Sequence, residues 1–250
     1  MELKTKIKKR FTSLKEFLLN KSSRNKSLRT MVEMLYGAHC RKRYQIPSIS
    51  LEALTPFTHI HLPTFLPKEG NLSPQELIVL SSITQYVKPN NIVEIGTFNG
   101  LSTLCMALNS PATTSIHTLD FDPSINIDLK RVWKDDLKYM YDQEKKDKVY
   151  THFNEAHKVT QHVGDSLSYD FTLFGYADLI FIDGGHHLSV VASDTAQALS
   201  ILEPNGFIIW HDYTCHCEGV FNYLNDLHHK LPLRHIQGTS LVIYKKDYFL

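Results

Sequence analysis

The sequence lacks the features that mark several large protein classes. No stretch approaches the roughly 18 apolar residues that a membrane-spanning helix needs, so none is expected. The N-terminus has no apolar core of the kind a secretory signal carries, and a reducing cytoplasm is the expected compartment. The four cysteines are Cys40, Cys105, Cys215 and Cys217, without the regular framework of a disulfide-stapled domain. "HDYTCHC" (211–217) offers one Cys-x-Cys pair and no second distant pair, which argues against a structural zinc site. No internal repeat, low-complexity tract or nucleic-acid-binding motif is present. What remains is an ordinary globular composition, 42% hydrophobic and 21% charged over 250 residues, enough for one large α/β domain with an extension.

The net charge of +1 conceals a split. Residues 1–43 hold thirteen Lys and Arg against three acids, a charge of +10, so the remainder carries −9. Leu3, Ile7, Phe11, Leu14 and Leu18 recur at steps of three and four, one apolar stripe on an otherwise basic helix. Such a helix packs on its own domain or on a second subunit of a homo-oligomer, or rests on a peripheral anionic surface. A second short helix is expected near Leu28 to Tyr36. Residues 1–46 are therefore expected to form a basic helical extension.

Residues 47–72 are rich in Pro and read as a connecting or lid segment without periodicity. A helix start follows, with Ser73 as N-cap, Pro74 at the first position and Glu76 in the first turn. Leu77, Leu80 and Ile83 give it a core face. From residue 91 strands and helices alternate: "NIVEIG", "SIHTLD", "KVTQHVGD", "ADLIFID" and "FIIWHD" as strands, with helices at 101–109, 128–147, 189–202 and 218–229. Leu129, Val132, Leu137 and Met140 are the expected core positions of the second of these helices. Residues 233–238 and 240–246 read as a terminal hairpin. The alternation predicts an α/β, doubly wound, mostly parallel sheet covered on both faces, with residues 73–250 as the main domain.

Ligands of such sheets bind at the carboxyl ends of the strands, where strand order reverses. "VEIGTFNGLST" lies at a strand-to-helix junction, with Glu94 near the strand end and Gly96 and Gly100 bracketing Thr97, Phe98 and Asn99. The third glycine of a dinucleotide fingerprint is missing, which disfavours a pyrophosphate ligand and an NAD-dependent oxidoreductase. Asp120 ends the next strand, where a carboxylate can accept both hydroxyls of a ribose. Asp165, in "GDS", can border an adenine or cap a helix.

Together "VEIGTFNGLST", "LDFD", "GDS", "DLIFIDGGHH", "LEPNGFIIWHDY" and "GTSLVIYKK" resemble, in order and from about Ser73 to Lys246, the class I S-adenosylmethionine-dependent methyltransferases. The resemblance implies a Rossmann-like, seven-stranded sheet with the last strand antiparallel. It implies S-adenosyl-L-methionine as cofactor, bound by Glu94, Gly96, Thr97, Asn99, Gly100, Ser102, Asp120, Asp165 and Asp183. The branch most resembled is the small-molecule O-methyltransferases of catechol and macrolide-sugar type. In that branch strand-end acids hold a divalent metal, Mg or Mn, that grips the acceptor hydroxyl. The matching positions here are Asp183, His211 and Asp212 as metal ligands. His186 stands where catechol-type members carry a basic Lys, with His187 adjacent, and His211 is a base if no metal binds; imidazole suits proton abstraction near neutral pH. His-Asp replaces the usual acidic or amide pair at 211–212. Residues 213–218 are expected to line the acceptor pocket, and Cys105 to lie in the core.

The implied reaction is methyl transfer to a hydroxyl of a small molecule, of sugar or secondary-metabolite type. The alternatives are N- or nucleic-acid methylation, disfavoured by the absence of an Asn/Asp-Pro-Pro-aromatic motif, and a methyltransferase-like binding module without catalysis. No specific nucleic-acid partner is expected.

Overall fold

The computed structural model describes residues 43–56, 59–64, 68–121, 132–133, 136–140 and 147–245. The chain divides into two units, Met1–Gln45 and Ile46–Leu250, and every element below belongs to the second. The apolar stripe at 3–18 and the helix expected near 28–36 lie outside the described residues.

Eight strands form one sheet: β1 (Ser48–Ile49), β2 (Asn91–Ile95), β3 (Ser115–Asp120), β4 (Val159–Val163), β5 (Ala177–Ile182), β6 (Leu202–Trp210), β7 (Arg234–Ile236) and β8 (Val242–Lys245). Their spatial order is β1-β7-β8-β6-β5-β2-β3-β4. Only β8 runs antiparallel to its neighbours. The eighth strand is a departure from expectation. The Pro-rich segment was expected to be a connecting or lid segment without periodicity, yet β1 pairs in parallel with β7 and a short helix, α1 (Leu51–Leu54), follows it. Two residues at a sheet edge are too few to leave a period in the sequence.

The remaining helices are α2 (Pro74–Val87), α3 (Leu101–Leu108), α4 (Asp136–Met140), α5 (Leu188–Ile201) and α6 (Glu218–His228). Ser73 and Glu76 cap α2 reciprocally, and Leu77, Leu80 and Ile83 are buried. β2 and β5 are buried nearly throughout, as central parallel strands covered on both faces must be. β6 begins directly after α5, and Pro204 and Gly206 fall in an irregularity where its pairing jumps from Leu202–Ala177 to Phe207–Leu179. The helix expected at 128–147 is described only as α4. There Leu137 is 37% exposed, a correction to its expected core role, while half-buried Val132 lines a cavity. Among the described residues no helix is long and apolar enough to cross a membrane.

The chain runs outward from β2 through β3 to β4, then returns to β5 on the other side of β2. This reversal opens a crevice at the carboxyl tips of β2 and β5. Gly96 makes the closure there possible. Its φ is +95°, and a Cβ at this position would stand 2.0 Å from the Asp183 carbonyl oxygen.

Candidate active site

The crevice is a cavity of about 680 Å³, within the range of small-molecule and cofactor sites. Gly96, Thr97, Asp120, Asp165, Asp183, His186, His211 and Asp212 all line it. All of these but His186 sit at or within two residues of the ends of β2 to β6, so parallel pairing alone brings them to one rim.

At one end, the tips of β2, β3 and β4 present Gly96, Asp120 and the Gly164–Ser168 loop. One Asp120 oxygen accepts from the Phe121 N–H at 2.9 Å and the other faces Lys148 Nζ at 3.1 Å. Lys148 also donates to the Phe98 carbonyl, tying the β2 turn to the β3 tip. Asp165 accepts from the Leu167 N–H at 3.0 Å, a turn within its own loop. Gly70, Asn71 and Leu72 close this region from the Pro-rich segment. Tyr139 of α4 meets Phe98 edge-to-face and covers Gly70.

At the other end, two imidazoles and four carboxylates form a chain. His186 Nδ1 lies 2.6 Å from Asp136 Oδ1, and its Nε2 lies 2.6 Å from Asp212 Oδ2. The Asp136 carboxylate also accepts from the His186 backbone N–H at 3.0 Å. His211 Nδ1 faces Asp183 Oδ1 at 2.8 Å and Asp212 Oδ2 at 3.2 Å, and its Nε2 faces Glu76 Oε2 at 3.4 Å. A carboxylate facing each nitrogen favours the protonated form of either ring. Burial by itself would push both imidazoles down, but the flanking carboxylates raise both well above the ordinary histidine value. Burial opposes ionisation of Asp212 too, yet its two imidazole partners hold it well below the usual range. Burial pushes Asp183 up, against the pull of His211. Against its own burial, Glu76 is held below the usual range by His211 and by Ser240, which donates to it at 2.8 and 2.7 Å.

The backbone holds this cluster tightly. Asp212 has φ +59°, a left-handed conformation that is costly for a residue with a Cβ and concentrates at functional sites. Gly219, early in α6, packs directly on the loop carrying the histidines: a Cβ there would stand 2.1 Å from the His186 carbonyl oxygen.

Several sequence expectations are corrected by this geometry. Glu94 does not line the cavity. It is fully buried behind the β2 tip, where Ser102, Thr103 and Thr118 donate to its carboxylate. Burial pushes this carboxyl up to about 7 despite those three bonds. Ser102 reaches the cavity wall, but its hydroxyl is committed to Glu94. Asn99 and Gly100 are set back from the cavity. Asn99 pairs with Asn71, and Gly100 starts α3 in a left-handed conformation against Tyr150. His187 also leaves the cavity, because neighbouring residues of an extended loop face opposite ways; its Nδ1 accepts from the Ser189 N–H and caps α5. Of residues 213–218, His216 and Cys217 line the cavity whereas Tyr213 is buried against Phe221. Cys105 is buried, as expected.

A divalent cation can be tested against these donors. Asp183, His211 and Asp212 offer ligand atoms within 4.8 Å of one another, as do His186, Asp212 and Cys217. His211 would release its Nδ1 proton on coordination, while Glu76 faces the other nitrogen. Carboxylates stand behind metal-bound histidines in this way. The first set therefore fits a cation that accepts both nitrogen and oxygen.

Comparison with known proteins agrees with this architecture. Residues 93–213 match the family model described as "Methyltransferase domain". No curated protein sequence matches the chain. Among solved structures, the chain is similar to the SAH-bound methyltransferase PaMTH1 of Podospora anserina (19% identity, 72% of this chain and 81% of that one, TM-score 0.52). It is also similar to the O-methyltransferase TomG of Streptomyces achromogenes, involved in tomaymycin synthesis and solved with SAM (17% identity, 71% and 82% covered, TM-score 0.50). A third likeness is to cofactor-bound Rv0187 from MTB (17% identity, 72% and 83% covered, TM-score 0.51).

Proposed function

We propose that the chain is a class I, S-adenosylmethionine-dependent methyltransferase that methylates a hydroxyl oxygen of a small molecule; the match of residues 93–213 to a methyltransferase domain and the likeness of fold support this. The observation that carries the reading is the single cavity, lined at one end by Gly96, Asp120 and Asp165 and at the other by Asp183, His186, His211 and Asp212. S-adenosylmethionine would supply an electrophilic methyl group at the first end. Asp120 would hold the ribose hydroxyls, with Lys148 as its counter-charge, and the Gly164–Ser168 loop would border the adenine.

The acceptor oxygen attacks in line, the sulfur–methyl bond breaks, and the electron pair leaves with sulfur. Alignment of the two reactants supplies much of the rate. The acceptor's proton passes to His186, which must enter the cycle neutral; flanked by Asp136 and Asp212, the ring then holds that proton more firmly than a free imidazole. A divalent cation held by Asp183, His211 and Asp212 would polarise the hydroxyl. A sugar or secondary-metabolite hydroxyl is the acceptor class we favour. Residues 1–46, 47–72 and 73–250 stand as extension, cover and catalytic domain, with the basic charge of residues 1–43 suited to an anionic surface.

The experiment is methyl transfer from isotopically labelled S-adenosylmethionine to a panel of hydroxyl, amine and nucleic-acid acceptors, with and without Mg²⁺ or Mn²⁺. Label on a hydroxyl acceptor supports the proposal. Label confined to amines or nucleic acid would replace it.

A further inference from the structure

Asp194 lies on α5 and plays no part in the chemistry above. Its side chain is fully buried, and neither carboxylate oxygen has a hydrogen-bond partner. An ionised carboxylate in that position has lost water and gained no donor, a costly arrangement that the neutral acid largely avoids. Burial pushes the group up to about 7, with Ser166 pulling it down and Asp165 pushing it further up.

Its surroundings give the residue a role. On one side, a Cβ built on Gly184 would stand 3.5 Å from Asp194 Oδ2, so the carboxyl lies directly beneath the corner that follows Asp183. On the other lies the loop after β4. Gln197, on the same helix three residues later, donates to the Ser166 carbonyl at 2.7 Å and ties that loop to α5. Gly184 and Gly164 to Ser168 all line the cavity, so α5 supports two of its walls from behind.

We propose that Asp194 is a positioning residue for the nucleoside end of the cavity: as the neutral acid it lets the Ser166 loop and the Gly184 corner close around the methyl donor, and as the carboxylate it opens them. The opening force is the charge itself, created beside Asp165 in a buried position where the pull of Ser166 does not offset burial. Of the titratable groups on elements packed against α5, Asp178 of β5 accepts from the Asn90 and Asn91 N–H groups, and Tyr223 of α6 lies beside Thr195, the next residue on α5. Asp183 is held by His211, and the Phe171–Phe174 turn bears no titratable side chain. Trp210 of β6 donates to Thr195.

The inference rests on the methyl-donor reading, and the test separates the two. SAH binding is titrated calorimetrically at about pH 6 and about pH 8.5, on either side of the ionisation, for the wild type, Asp194→Asn and Asp194→Ala. The wild type should lose about tenfold or more in affinity across that interval, where a single ionisation costs up to tenfold per pH unit. Both uncharged variants should change at least about threefold less, with Asp194→Asn matching the wild type at the lower pH. The wild-type loss should fall on the donor KM, while kcat at saturating donor should follow the same pH profile in the wild type and Asp194→Asn. A wild type whose SAH affinity is flat in pH, or an Asp194→Asn that repeats its slope, overturns the inference while leaving the donor reading intact. No SAH binding at either pH overturns both.

Discussion

At the donor end of the cavity, Gly96, Asp120 and Asp165 come from consecutive strand tips; Asp120 and Asp165 each accept from a backbone N–H of their own turn, while Gly96 packs on the Asp183 corner and Asp120 also pairs with Lys148. At the acceptor end, groups in direct contact come from α2, α4 and the tips of β5 and β6, and His186 meets Asp136 across fifty positions of sequence. The first end is a product of local backbone geometry. The second exists only when four elements have docked. A substitution at the donor end should therefore act on binding, and one at the acceptor end on the proton, with little crossover.

The largest expected effect is at the centre of the imidazole–carboxylate chain. His186→Ala should lower kcat by about 10²- to 10⁴-fold, the usual worth of general acid–base catalysis, and leave SAH affinity within about threefold. Equal losses in kcat and SAH affinity would show that the two ends are not independent. A smaller effect is expected one step back. Asp136→Asn keeps the shape but removes the charge that orients the His186 ring, and should cost about 10- to 100-fold in turnover, as losing an orienting partner typically does. It should also shift the pH profile of kcat toward lower pH, because losing the Asp136 charge lowers the imidazole's hold on its proton. A turnover loss with an unmoved profile would reduce Asp136 to a packing role.

The same contrast governs what was legible in the sequence. The alternation of strands and helices and the terminal hairpin follow from local patterns, the antiparallel last strand followed from the resemblance, and Asp120, Asp183 and Asp212 line the cavity. Glu94 faces hydroxyls of α3 and β3, and an acid near a strand tip looks alike in sequence whether it faces such hydroxyls or a ligand. The signal was present in Ser102 and Thr103, two hydroxyls on the first turn of the next helix. His187 was distinguishable from His186 by Ser189, the short-range partner of a capping side chain. Asp136 and Glu76 left no such trace. Asp136 lies in a charged stretch whose spacing suggested a core helix, and Glu76 had an adequate local explanation in its capping box with Ser73. Contacts made by docking between distant elements carry no period and no motif, so the acceptor end emerges only in three dimensions.

The central claim is that the glycine-bent corner after β2, together with the β3 tip, holds a sulfonium nucleoside. Calorimetric titration of SAH into the wild type and Asp120→Ala tests it most directly. The account predicts one site in the wild type and an affinity about 10- to 100-fold weaker in the variant, the typical cost of removing a charged hydrogen-bond acceptor. Equal affinity in the two proteins, or no binding to the wild type, would contradict it.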